Sequence, residues 1–247
     1  QLSLSQKLTY FTYKGQCFWL KKKYPKEKYE AKRSLLEEKM SASFQNKGIF
    51  YYSNGYYELP KLKTKDIYFY GFYESARYFQ EFKEQLQKEF VPKFPESVKN
   101  KELYRVIDEE ESVCISIRAG DFLSDQFKDK YFVCNEIYFQ KAIQYMQTKV
   151  KKPRFIVFSD DISYVKEHFH FPTQTLFEQG DDPVYEKLRL MYRCKHFILS
   201  NSSFSFWAQY LARNPQKIVV APSHWNNYGE NPDIYEEGWH LIDVKKN

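Results

Sequence analysis

Four short polar segments in the second half of the chain each follow a compact apolar run: Arg118-Ala119-Gly120-Asp121, Ser159-Asp160-Asp161, Ser200-Asn201-Ser202-Ser203 and Pro222-Ser223-His224-Trp225. Their residue types suit a nucleoside diphosphate. Arg118 offers a planar fork of donors matched to phosphate oxygens and stays charged at every relevant pH. Gly120 permits close approach of a ligand to the backbone. Ser202 and Ser203 stand where a helix should begin, and the exposed N–H groups and dipole of a helix start favour an anion. Asp160 or Asp161 could accept the two hydrogen bonds that the N1–H and N2–H₂ edge of a guanine donates, which an adenine cannot supply. Taken singly, each segment has a plain structural reading as a surface turn or as a helix cap with an acidic first turn. What favours a ligand is that all four fall at the ends of strands.

The elements around them make that placement. Val113–Ile117, 155–158, 196–199 and 218–221 are short, continuously apolar runs, and helical periodicity falls between them at 135–149, 161–168, 181–193 and 202–213. Such runs separated by helices predict a parallel sheet covered on both faces, a Rossmann-like α/β domain. In an open parallel sheet the ligand lies beyond the carboxyl ends of the strands, where the polar segments converge. GxGxxG and GxxxxGK[ST] do not occur, which argues against dinucleotide oxidoreductases and P-loop enzymes. No DxD-type metal motif stands out. The Asp181-Asp182 pair reads as charge at a helix start.

The first half has a different pattern. A helical hairpin is expected in 1–47, clearest at 26–40 with Leu35, Leu36 and Met40 on one stripe. Extended segments at 49–52 and 67–71 follow, the first closed by a tight turn at Asn54-Gly55. A helix over 74–90 would align Tyr78, Phe79, Phe82, Leu86 and Phe90 on one face. Pro92 and Pro95 end it, and the polar stretch 96–112, helical in part, connects two domains. The predicted domains are thus 1–95 and 96–247. A chain with 43% apolar and 28% charged residues belongs among folded proteins. Residues 1–100 carry 19 Lys and Arg against 11 Asp and Glu, so this half is the basic one and the candidate for contact with an anionic surface or a phosphorylated substrate. A solvated lysine-rich surface is the plainer account. Cys17, Cys114, Cys134 and Cys194 are too scattered for a zinc site and read as free thiols in a reducing cytoplasm.

In order, Val113-Cys-Ile-Ser-Ile-Arg-Ala-Gly-Asp-Phe122, Phe155-Ile-Val-Phe-Ser-Asp-Asp161, Cys194-Lys-His-Phe-Ile-Leu-Ser-Asn-Ser-Ser-Phe-Ser-Phe-Trp207 and Ile218-Val-Val-Ala-Pro-Ser-His-Trp225 resemble the donor-domain motifs of glycosyltransferase family 11, the α-1,2-fucosyltransferase family. Upstream, Asn54-Gly-Tyr-Tyr57 and Gly71-Phe-Tyr-Glu-Ser75 with Tyr78-Phe79 resemble the same family, so the likeness spans roughly 46–227. The resemblance implies a GT-B-like architecture of two Rossmann-like lobes, the N-terminal one incomplete here. It also implies GDP-L-fucose as donor and inverting transfer to the 2-hydroxyl of a terminal galactose; with no DxD-type motif and with Arg118 as the cation, no metal or other cofactor is expected. The acceptor would be a galactose-containing glycan or a lipid-linked oligosaccharide, and the location cytoplasmic or peripheral at the inner membrane face, with no nucleic acid involved. Arg118 would bind the diphosphate with Gly120, and Ser159, Asp160 and Asp161 would hold the nucleoside side. Asn201, Ser202, Ser203 and Phe204 would hold the phosphates or the sugar. Asp121 is the first choice for the catalytic base and Asp125 the second. The alternative is a non-catalytic GDP-sugar binder or scaffold in a polysaccharide assembly system.

Overall fold

The computed structural model describes residues 3–52, 55–58, 67–227 and 231–244. They fall into two units, Gln1–Tyr78 with Tyr228–Ile234 and Phe79–Asn227 with Tyr235–Asn247.

In the first unit, α1 (Leu4–Lys23) and α2 (Lys26–Gln45) form the expected hairpin, broken at Tyr24-Pro25. A capping box starts α1: Ser3 Oγ accepts from the Gln6 amide, and Gln6 Oε1 accepts from the Ser3 amide. A small core of Tyr13, Cys17, Phe44 and Ile49 holds the pair together, and the Tyr13 hydroxyl donates to Glu37 at 2.7 Å. β1 (Ile49–Tyr52) and β2 (Tyr68–Gly71) pair in parallel, Ile49 opposite Tyr68. Parallel neighbours need a longer crossover than a tight turn gives, so β1 and β2 are not a hairpin; Ser53 and Asn54 lie outside the described residues. A second Rossmann-like lobe is not evident in the described part of this unit.

The second unit contains the expected Rossmann-like domain. Its strands are β3 (Glu111–Ile117), β4 (Pro153–Ser159), β5 (Leu176–Phe177), β6 (His196–Ile198), β7 (Val219–Pro222) and β8 (His240–Ile242). All five pairings are parallel, in the order β5-β4-β3-β6-β7-β8. The first three strands run outward one way and the last three the other, the doubly wound order whose switch point lies between β3 and β6. The helices are α3 (Lys83–Glu89), α4 (Lys101–Glu109), α5 (Lys128–Tyr131), α6 (Glu136–Lys149), α7 (Ile162–His168), α8 (Val184–Arg193) and α9 (Ser203–Leu211).

Alternation along the strands explains the two layers. Val113, Ile115 and Ile117 join Tyr138, Phe139, Ile143 and Met146 of α6 and Val165 of α7. Cys114, Ile156 and Phe158 join Val106 and Ile107 of α4, Leu190 of α8 and Ala208 of α9. Both faces of the sheet are covered, so the strands are apolar at nearly every position.

The helix expected over 74–90 breaks into 3₁₀ turns at Ala76–Tyr78 and Gln80–Phe82, and only Lys83–Glu89 is α-helical. The aromatic rings are the reason: Phe79 and Phe90 both stack on Trp207 of α9, at 4.9 and 5.6 Å. Gln87 donates to the Ala212 carbonyl, and Arg213 to the Gln87 carbonyl. These contacts put residues 79–95 with the sheet, so the packing boundary precedes Pro92.

Candidate active site

β3 and β4 pair to their last residues, Ile117 opposite Ser159, which sets Arg118 beside Asp160. Asp160 Oδ1 accepts from the Ala119 amide at 2.9 Å and the Gly120 amide at 3.2 Å. Its Oδ2 lies 2.9 Å from Arg118 Nη1. Arg118 Nη2 lies 3.0 Å from Asp121 Oδ1. A guanidinium and two carboxylates therefore occupy the carboxyl ends of adjacent strands, and Asp160 organises the Arg118 loop with both its oxygens. A Cβ on Gly120 would come within 2.6 Å of Asp160 Oδ2 and 3.1 Å of its Cγ. This position needs glycine because the carboxylate occupies the space. The Arg118 guanidinium also lies 5.8 Å over Phe122, which stacks on Tyr131.

The neighbouring residues have separate tasks. Asp161 is the N-cap of α7, accepting from the Tyr164 amide at 2.9 Å. Buried Ser159 accepts from the Asp161 amide at 3.0 Å. Sequence reasoning missed Lys187 of α8, whose Nζ donates to the Ser159 carbonyl at 3.0 Å and pairs with buried Glu178 at 3.2 Å. Nothing in its helical context distinguishes Lys187 from a surface lysine; only the fold brings it to the end of β4.

Across the switch point, β6 continues into Leu199 and Ser200. The Ser200 amide donates to the Ser116 carbonyl at 3.0 Å. Ser116 Oγ and Ser205 Oγ are 2.7 Å apart, and Ser200 Oγ is 3.2 Å from Ser205 Oγ, fastening α9 to β3. A serine within the apolar run Val113–Ile117 was the only signal for this bridge. Buried Asn201 donates to the Tyr131 carbonyl at 2.8 Å and the Trp225 carbonyl at 2.9 Å, bracing the loops after β3 and β7. Ser202 is the N-cap of α9 without a side-chain capping bond, Ser203 is exposed, and Phe204 packs against the core beneath α9. After β7, Ser223 Oγ lies 3.0 Å from His224 Nδ1. Asp125 is exposed in the loop after Asp121.

The structure thus brings Arg118, Gly120, Asp121 and Asp160 into one hydrogen-bonded group. Ser159 and Asp161 lie next to it in the chain, Asn201 and Ser202 belong to the neighbouring β6–α9 connection, and Ser203 and Phe204 to the first turn of α9.

Among the described residues, Glu178, Asp181 and Asp182 form a trio of carboxylates close enough to share a cation. Lysines already meet those charges. Lys99 lies 2.6 Å from Asp181 and 3.1 Å from Asp182, and Lys187 pairs with Glu178. Asp182 also accepts from Asn100 at 2.9 Å. The stretch 96–112, expected to connect two domains, lies within the second unit, and the Asp181-Asp182 pair ties its start at Lys99 and Asn100 to the segment just ahead of α8. A cavity of about 220 Å³ lined by Gln147, Pro153, Phe155 and 172–175 lies at the amino end of β4, away from Arg118. The four cysteines are buried free thiols, and burial raises the pKa of Cys114 and Cys134.

The chain is similar in sequence to several glycosyltransferases. The chain is 34% identical over 167 residues to an alpha-1,2-colitosyltransferase of Escherichia coli, covering 64% of this chain and 56% of that protein. It is 28% identical over 128 residues to the O-antigen biosynthesis glycosyltransferase WbnK of Escherichia coli, covering 51% and 42%. A galactoside alpha-(1,2)-fucosyltransferase 1 from Saimiri boliviensis boliviensis is 27% identical over 104 residues, covering 40% and 28%. The chain thus spans about half, or less, of the length of these relatives. Residues 18–243 match glycosyl transferase family 11, and the chain belongs to that family.

Proposed function

We propose that the carboxyl ends of β3, β4 and β6 hold the diphosphate of a GDP-sugar, and that the protein transfers L-fucose with inversion to the 2-hydroxyl of a terminal galactoside. The acceptor is a galactose-containing glycan or lipid-linked oligosaccharide. The observation that carries this reading is Arg118 held between Asp160 and Asp121 at the carboxyl ends of β3 and β4, beside the switch point of the sheet. Two of the relatives carry alpha-1,2 in their names but differ in the sugar named, colitosyl or fucosyl. The linkage is therefore the better supported element, and the choice of fucose is the finer one.

As GDP departs, negative charge grows on the β-phosphate, and a fixed guanidinium aimed there stabilises the transition state. Asp160 fixes it. Its side chain is 26% exposed and bonded at both oxygens, whereas that of Asp121 is 49% exposed and faces Arg118 alone. Phosphate oxygens competing for Arg118 displace Asp121 more easily than Asp160. The released Asp121 carboxylate then accepts the proton of the acceptor hydroxyl. Asp161 has given one oxygen to the Tyr164 amide and keeps the other for the guanine edge, while Ser202 and Ser203 at the start of α9 face the phosphates. Arg118 supplies the charge that a metal supplies in other enzymes, so no divalent ion is required. The two-lobe GT-B arrangement, with the acceptor on the N-terminal side, and a cytoplasmic location complete the proposal. Buried reduced thiols suit that compartment.

Nucleotide selectivity tests the donor assignment. GDP at about 100 times its Kd should raise stability by about 2.7 kcal/mol, with UDP and ADP doing little. Equal stabilisation by UDP would remove the GDP-sugar assignment.

A further inference from the structure

Helix α1 has two opposed faces. Gln6, Thr9, Tyr13 and Cys17 are buried. On the other side, Leu4, Leu8, Phe11 and Phe18 follow one another in steps of four, three and seven, which keeps them in one stripe. They are 85, 68, 67 and 57% exposed, and Trp19 beside them is 72% exposed. A monomeric soluble protein seldom leaves so continuous an apolar row in water. Lys7, Lys14 and Lys21, seven residues apart, form one edge of the stripe, and Lys22 and Lys23 close its end. No Asp or Glu occurs in α1.

We infer that this face of α1 lies in the headgroup layer of an anionic lipid surface. A helix lying in such a layer has Leu, Phe and Trp toward the acyl boundary and lysines toward phosphate, as here. Each lysine near an anionic membrane adds to the attraction. At 20 residues the helix extends about 30 Å along the surface. A second copy of the chain is a poorer occupant. Stripe-to-stripe pairing would bring two lysine edges together, and Gly15 leaves no side chain to fill the middle of the seam. The inference stands on α1 alone and is independent of the donor site.

Co-sedimentation of the full chain with vesicles of phosphatidylcholine, with and without added phosphatidylglycerol, tests it. Binding should require the anionic lipid and weaken as salt is raised. The triple variants Leu8→Gln/Phe11→Gln/Phe18→Gln and Lys7→Gln/Lys14→Gln/Lys21→Gln should each bind at least about tenfold more weakly. Both should melt like the parent and keep its GDP binding, because the altered side chains are exposed. Equal binding to neutral vesicles, or parental binding by either variant, would overturn the inference. A stripe-dependent dimer without lipid binding would also overturn it, and would assign the face to a second copy.

Discussion

The sheet unit and the N-terminal hairpin treat their apolar residues in opposite ways. Around β3 and β4, Cys114, Ile115, Ile156 and Val157 are fully buried, and two layers of helices seal both faces. In α1 the largest apolar side chains point outward, and the core beneath them is a cluster of four buried residues. The comparison separates two uses of apolar surface. One builds a rigid platform whose strand ends can hold charged groups in fixed geometry. The other leaves a face for something outside the chain to cover. Loops positioned by a rigid scaffold are where binding residues concentrate, and the Arg118 loop has that support.

The largest expected effect follows from this contrast. Ile156→Ala in the sheet core should cost about 2–5 kcal/mol of stability, whereas Leu8→Gln on α1 should change it by less than about 0.5 kcal/mol. Chemical denaturation of both variants measures the difference. Comparable losses would mean that the α1 face is already packed in the isolated chain.

A smaller effect is expected at the platform's edge. Gly120→Ala inserts a methyl where the Asp160 carboxylate sits, pushing it off the loop amides and Arg118. Catalytic efficiency should fall by about tenfold or more, roughly 1.4 kcal/mol, with only a minor change in melting temperature. An unaltered kcat/KM would show that Asp160 does not position Arg118.

The smallest concerns acid. Glu186 of α8 is buried, which raises its pKa, but the Ser97 amide, Tyr104, Asn100 and Arg189 outweigh burial and leave it lowered. A lowered folded pKa contributes stability above the unfolded value, and that contribution is lost as pH falls through the folded value. Thermal melts of the parent and Glu186→Gln should therefore differ most near neutrality and converge in acid, below about pH 4. A difference that grows on acidification would contradict this sign.

The parallel sheet was legible in sequence because strands buried on both faces carry compact apolar runs, and so were its major helices. β5 and β8 were missed. Leu176-Phe177 is too short to register as a run, and His240–Ile242 starts on a polar residue. The helix over 74–90 was overcalled because aromatic spacing that suits a helix face also suits rings stacked on Trp207, and tertiary packing decided between them. At the candidate site, residue types pointed to strand ends that the fold does bring together, but not to how Asp160 is used. Its partners, the Ala119 and Gly120 amides, lie some forty residues away in sequence, and only strand register brings them within reach. Lys187 was hidden for the same reason.

The central claim is that Arg118, braced by Asp160, is the diphosphate clamp, and steady-state turnover of GDP-fucose by the parent, Arg118→Lys and Arg118→Ala, with and without a chelator, tests it most directly. Lysine keeps the charge but loses the two-pronged geometry. Both variants should therefore lose at least about 100-fold in kcat/KM, roughly 2.7 kcal/mol, while remaining folded, and the parent should keep its activity in chelator. Near-parental turnover by Arg118→Ala, or loss of parental turnover on chelation, would contradict the account.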